Sequence, residues 1–441
     1  MPTAMPELGP KVYSARLSRF IELCDDRGYD HVLVYADREH SANLSYLTGF
    51  DPRFEEAVLI TGSHMPILLV GNECVGMARA APVDIEVVLY QELSLPSQPR
   101  DKSPSLESIL DDAGIGGGDR IGLVGWKGWA DRSMIDVPAF MVDAVRAKVG
   151  ASGVVENASD ILIDAATGMR VVNELEQIVA FEYAACHTSN GVRSLLRGLE
   201  PGMTEQDAVA LLGWNGSPLS CHLMLTAGER ARVGLLSPGD RVIERGDPFT
   251  VAFGIWGALN CRAGFVVSDH SELDPSISDY VERLVAPYFE TVVEWYEALH
   301  VGQTGGALQE IVDRRLGDPF FGIFLNPGHQ IHLDEWVNSP IAQGSQIELR
   351  SGMALQADII PATGTRYFTS NIEDGLVLAD SSLRHELADR HPDVWERMVR
   401  RRDFMRDGLG IGIGDDVLPL SNIPAFLPPF ALDRERAMTM A

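Results

Sequence analysis

The sequence predicts an α/β (α+β) protein of two domains: an N-terminal α/β domain over residues 1–165 and a pseudo-symmetric one over residues 166–441. Three observations predict it. The length of 441 residues exceeds one ordinary domain. Short apolar runs alternate with helical patterns through the first third of the chain. Beyond it, a helix, a capping threonine, a second helix and a set of strands occur in that order twice, about one hundred residues apart.

In the first domain, His31–Ala36 (HVLVYA) reads as an apolar strand. AVLIT and MPILLV read as a hairpin around Gly62-Ser63, and IEVVLY, RIGLVG and SGVVEN as further strands. Leu106–Ala113 and Met134–Val149 read as helices between them. The glycines at 114–118 precede a strand, and those at 408–414 lack a strand–turn–helix setting, so neither run is read as a phosphate loop.

The second domain opens with a helix over Val171–Leu196, stopped by Gly198. Thr204 is expected to cap the next helix, with Asp207 in its first turn. The repeat of this unit places helices at Glu290–His300 and Ala307–Leu316, flanking Gly302-Gln303-Thr304. Phe249–Val267 reads as two strands around a Trp256-Gly257 turn. The stretches 347–361 and 372–380 read as strands, and His385–Asp407 as a charged helix. The proline-rich tail, VLPLSNIPAFLPPFALD, carries enough apolar residues to dock on the body or on a partner subunit.

Composition excludes several classes. The net charge of −27, from 36 basic and 63 acidic residues, disfavours nucleic acid and anionic membrane surfaces as partners. No apolar run is long enough to span a bilayer, and the first residues lack the apolar core of a signal peptide, so a cytoplasmic location is expected. Five scattered cysteines without CxxC spacing read as reduced thiols.

The segment Asn326–Pro340 (NPGHQIHLDEWVNSP) concentrates His329, His332, Asp334 and Glu335 after a Pro-Gly turn, as catalytic loops do. Together with five other runs it resembles the pita-bread family of methionine aminopeptidase, Xaa-Pro aminopeptidase, prolidase and creatinase. Those runs are Asn43–Phe50 (NLSYLTGF), Pro201–Glu205 (PGMTE), Gly246-Asp247, Gly352–Asp358 and Ile372–Asp374, in the order and spacing of the family. The resemblance implies a creatinase/prolidase-type N-terminal domain, a pita-bread C-terminal domain and a homodimer acting on a small molecule or dipeptide.

Metal-dependent members of that family hold two ions with two aspartates, a histidine and two glutamates. The resemblance places Ala252 and Cys261 at the aspartate positions, His329 at the histidine, and Asp358 and Glu373 at the glutamates. Two further proton-handling histidines fall at Leu235 and Trp336. The two-ion site is therefore not expected intact. Creatinase, which works without metal, keeps a histidine where this chain has none.

Three readings remain. In the first, a metal-independent hydrolase or lyase cuts a C–N bond (amide, peptide or amidino) of an amino-acid-like substrate and needs no cofactor. His329 and His332 move protons, Asp334 orients, and Asp358 and Glu373 orient or accept. Arg262 clamps a substrate carboxylate, and Asn260, Cys261, Glu335 and Trp336 complete the pocket. In the second, a single divalent ion sits on His329, Asp358 and Glu373. In the third, the chain only binds a small ligand. Structural roles stand beside these: a buried His329, an Arg262 ion pair, a Glu335 surface charge and, favoured for Cys261, an inert core thiol.

Overall fold

A computed structural model describes residue 2 and residues 5–440. The chain divides into two compact units, residues 7–170 and a second comprising residues 171–440 with Pro2, Met5 and Pro6. The sequence reading put that boundary at 165.

The first unit is built on a six-stranded mixed sheet. Its strands are β1 (His31–Ala36), β2 (Ala57–Thr61), β3 (Ile67–Val70), β4 (Glu86–Leu89), β5 (Arg120–Val124) and β6 (Val154–Asn157), in the spatial order β4-β3-β2-β1-β5-β6. The hairpin of β2 and β3 is antiparallel, as its intervening Gly-Ser predicts, while β5 and β6 run parallel to β1. The helices are α1 (Pro10–Asp26), α2 (Ala42–Thr48), α3 (Val75–Ala78), α4 (Leu106–Asp112), α5 (Ala139–Val149) and α6 (Asp160–Ile163). Leu33, Val58, Leu69 and Leu123 pack with Leu110, Met141 and Val145 in one apolar core. Helix α1 has the start signal of Pro10 at its first turn and buries Leu17, Phe20 and Cys24. The sequence reading assigned no helix there, and α5 starts five residues later than the expected Met134 because Pro138 precedes it.

In the second unit, helix α7 (Leu175–Gly198) is followed by α8 (Glu205–Ala210) and strands β7 (Met224–Ala227), β8 (Pro248–Ile255) and β9 (Ala258–Phe265). Helices α9 (Ala286–Ala298) and α10 (Gly305–Leu316) lead to β10 (His329–Gln330), β11 (Ala354–Asp358) and β12 (Asn371–Leu378). The chain closes with α11 (Ser381–Arg390), α12 (Pro392–Asp403) and β13 (Val417–Pro419). Val171 and Val172 lie before α7, where Val172 bridges to Met353, and Gly198 is its last residue, not the stop beyond it.

The internal repeat is visible in the backbone. Thr204 precedes α8 and pairs with Val242; Thr304 precedes α10 and pairs with Glu348. Each partner lies six residues before the next hairpin, 242 to 248 and 348 to 354. Gly202 and Gly302 both take the left-handed conformation just before these threonines. Thr204 forms the expected capping box with Asp207, whereas the Thr304 side chain caps nothing. The two hairpins meet as β12 beside β9 in an antiparallel sheet ordered β10-β11-β12-β9-β8-β7, with β13 on β12. The two-residue turn between β8 and β9 needs Gly257 at φ 93°, and a side chain there would run into Phe181 at 2.6 Å.

The tail docks on its own unit: Leu420, Ile423, Ala425, Leu427 and Phe430 are buried. A buried ionic cluster ties α7 to α12. Glu182 accepts two bonds from Arg397 at 2.8 and 2.7 Å and one from Arg401 at 2.6 Å. Burial raises the Glu182 carboxyl, but the arginines outweigh it and leave its pKa lowered. A depressed carboxyl contributes stability above the ordinary glutamate value of about 4.3, lost as pH falls through the lower folded value. Replacing Glu182 by Gln should cost about 3 kcal/mol or more at pH 7 in denaturant unfolding, by stranding the buried Arg401 and the partly buried Arg397. That deficit should shrink as pH falls below about 4.3.

Candidate active site

Strand register assembles the site. Residues Met224, Ala252, Cys261, Glu373 and Asp358 stand directly opposite one another across β7, β8, β9, β12 and β11. Directly paired residues share a face of the sheet, so this row presents its side chains together. His329 on β10 pairs with Gln356, two residues from Asp358 and on the same face. The row thus gathers residues more than one hundred positions apart in sequence.

His329, Asp358 and Glu373 form a group of possible metal ligands, each offering one atom, all within 4.8 Å of one another. His329 is fully buried and Asp358 and Glu373 nearly so. The His329 Nε2 lies 3.1 Å from Glu335 Oε1 and 3.3 Å from Glu373 Oε1, while Nδ1 lies 3.2 Å from the Gln330 carbonyl. The Trp336 indole stacks on the imidazole at 4.2 Å and 17°. The Cys261 thiol donates to Glu373 Oε2 at 2.8 Å. Asp358 Oδ1 is buried without a hydrogen-bond partner.

These contacts shift His329, Asp358, Glu373 and Cys261. Burial pushes Asp358 well above the ordinary carboxylate range, and the charge of Glu373 adds to it. Burial also raises Glu373, against the opposing His329 hydrogen bond. Burial would lower His329, but Glu335 and Glu373 outweigh it and hold its pKa well above the ordinary imidazole value. Burial, then the Glu373 charge, raises the Cys261 thiol.

The other residues singled out in the sequence divide. Glu335, side chain 24% exposed, lies at the imidazole and is not a detached surface charge. His332 is buried and packs edge-on against Phe181 at 5.2 Å, and its Nδ1 accepts the Leu333 N–H. Asp334, partly buried, offers its backbone carbonyl to the His332 N–H at 3.2 Å.

Arg262 and Asn260, read from the sequence as substrate-binding, belong to the opposite face. They flank Cys261 on β9 and alternate away from it. Arg262 pairs with Asp374 at 2.9 Å and donates to the carbonyls of Ile423 and Phe426 in the tail. Asn260 donates to Asp374 Oδ1 at 2.6 Å and accepts from Thr188. Their polar groups are committed to the protein's own framework, the structural alternative stated for Arg262.

One site neighbour, Cys221, was missed in the sequence. Cys221 is partly buried, and burial together with the charges of Glu335 and Glu373 pushes its thiol up to about 12. The next residue, exposed His222, places Nε2 2.7 Å from the Leu235 carbonyl. An imidazole from another loop thereby meets the position where the resemblance expects a histidine and the chain has Leu235. The adjacent Cys-His pair was the available signal.

Comparisons with known proteins agree with this architecture. Residues 16–127 match the Creatinase/Prolidase N-terminal domain. A prolidase from Pyrococcus horikoshii is 17% identical, with 83% of this chain and 95% of that chain covered and a TM-score of 0.64. The chain has the prolidase fold. An Xaa-Pro dipeptidase from Bacillus anthracis (17% identity, 84% and 96% covered, TM-score 0.63) and an X-Pro aminopeptidase from Thermotoga maritima (16%, 93% and 98%, 0.65) share it. No curated protein sequence matches the chain. Among the described residues, no helix is long and apolar enough to cross a membrane.

Within the prolidase fold, Ala252 contributes only a methyl group and Cys261 a thiol to the row. Replacing Arg262 by Ala should cost about 3–5 kcal/mol in denaturant unfolding, because Asp374 is left buried and unpaired. An Arg262 that served only to bind ligand would leave the unfolding midpoint unchanged.

Proposed function

We propose that the protein is a hydrolase cutting the C–N bond of a small amino-acid-like or Xaa-Pro dipeptide-like substrate, with one divalent ion held by His329, Asp358 and Glu373. The observation that carries this reading is the setting of the His329 imidazole. Its Nδ1 faces a backbone carbonyl, which fixes the proton there in the neutral ring and turns the Nε2 lone pair toward two carboxylate oxygens. Lone pair and carboxylates repel unless a cation lies among them or the ring takes up a second proton. A histidine that binds metal through one nitrogen and donates the other N–H to a carbonyl has this arrangement. The partnerless Asp358 Oδ1 fits the same ion. Ala252 offers no carboxylate to bridge to a second one, which supports one ion over two.

When bound, a divalent ion polarises the scissile carbonyl and eases deprotonation of the attacking water. The chain's own groups do the rest. Gln330 fixes the tautomer of His329, and Trp336 fixes its plane. Glu335, partly exposed beside the buried acids, accepts the water proton and returns it to the leaving nitrogen. The raised pKa of His329 favours a second, metal-free reading in which the imidazolium donates that proton.

The five free cysteines support a reducing, cytoplasmic location, and the family resemblance supports a homodimer. Neither arrangement enters the chemistry above.

Elemental analysis of protein purified without added metal, and activity on Xaa-Pro dipeptides and amides with and without chelator, test the proposal. About one zinc-like ion per chain and activity lost to chelator are expected; full activity in metal-stripped protein selects the second reading. His329→Ala should lower the rate by at least ~100-fold in either case. Metal uptake by the stripped protein should release protons, read as a dependence of calorimetric heat on buffer ionisation enthalpy.

A further inference from the structure

We infer that Cys261 is a fourth protein ligand of this ion, as a thiolate, and that the site therefore takes a thiophilic cation such as zinc in preference to manganese or magnesium. The inference rests on the single-ion reading above and adds the ion's chemical class. Its ground is register and distance. Cys261 stands directly opposite Glu373 on the neighbouring strand, and its Sγ lies 2.8 Å from Glu373 Oε2. The other oxygen of the same carboxylate lies 3.3 Å from His329 Nε2. One carboxylate therefore spans the thiol and the imidazole.

A second observation points to a ligand independently of the thiol. Asp358 is only 5% exposed and keeps Oδ1 without a partner in the same cluster. The register partner of Cys261 on its other side is Ala252, whose methyl group competes for no cation. One nitrogen, one sulfur and two carboxylate oxygens make a four-donor set of the kind zinc accepts, and water or substrate carbonyl would then enter as a fifth ligand. Thiolate donors draw soft and borderline cations, whereas magnesium and manganese prefer oxygen. On binding, the Sγ–H bond breaks, an Sγ–metal bond forms, and the proton leaves to solvent. The hydrogen bond from Cys261 to Glu373 is lost in the exchange.

Cobalt(II) titration of the metal-stripped full-length protein tests this, because thiolate ligation gives an intense sulfur-to-cobalt absorption in the near ultraviolet. Saturation at one equivalent is expected, with the band absent in Cys261→Ser and retained in Cys221→Ser. Zinc should displace the cobalt, and equal manganese should not. Cadmium NMR of the unsubstituted protein reads the same bond without any variant, as a thiolate-shifted resonance. Cobalt bound at one equivalent with no such band, or a band that persists in Cys261→Ser, would overturn the thiolate assignment and leave the single-ion reading standing. A stripped protein that binds neither cobalt nor zinc overturns both.

Discussion

The buried ion pair between Arg262 and Asp374 determines which acids of the central sheet are balanced and which are not. Both residues are almost fully buried, and the guanidinium has further acceptors in the carbonyls of Ile423 and Phe426. Ala425 adds an N–H to the same aspartate. A pair so satisfied holds β9 to β12 and fastens the tail over them. A buried charge of this kind persists only with its partners in place. Strand alternation then sends the adjacent residues, Cys261 and Glu373, to the other face, where no arginine follows them.

That other face carries the opposite imbalance. Asp358, Glu373 and Glu335 share one imidazole, and among the described residues no Lys or Arg is ion-paired to any of the three. Repulsion between close buried carboxylates is strong enough to force protonation or recruit a cation. The raised pKa values of Asp358 and Glu373 are the protonation answer. Both nitrogens of His329 face acceptors, so the same geometry suits an imidazolium that donates from both and a neutral ring that gives Nε2 to a cation. The sheet thus separates a charge-balanced face that holds the fold from an unbalanced face available for chemistry.

Much of this was legible in the sequence, for identifiable reasons. Strong local signals carried through: the apolar β1, the Thr204 capping box and the Trp256-Gly257 hairpin each rest on residues adjacent in the chain. Helix α1 was missed because that stretch was read only for a signal-peptide core, although Pro10 opens it and Leu17, Phe20 and Cys24 recur at helical spacing. His329, Asp358 and Glu373 were found through family-like runs. Arg262 and Asn260 were misplaced for a different reason. Residues 260, 261 and 262 are adjacent in sequence, yet a strand splits them between two faces, and which face holds the site depends on β12. Cys221 went unplaced because a lone cysteine beside a histidine is a weak signal and its proximity to Glu335 and Glu373 is a tertiary fact.

The alanine at 252 and the cysteine at 261 are best understood together. An aspartate at either position would add a further buried negative charge to a face that already lacks compensation, and would be tolerable only beside a second cation. Alanine removes that requirement outright. Cysteine removes it conditionally, because a thiol is neutral until an ion displaces its proton. The hydrogen bond from Cys261 to Glu373 shows the neutral state in place. With an aspartate at one of the two positions the row would hold a carboxylate with no ion to share, so alanine and cysteine together keep the charge on this face small.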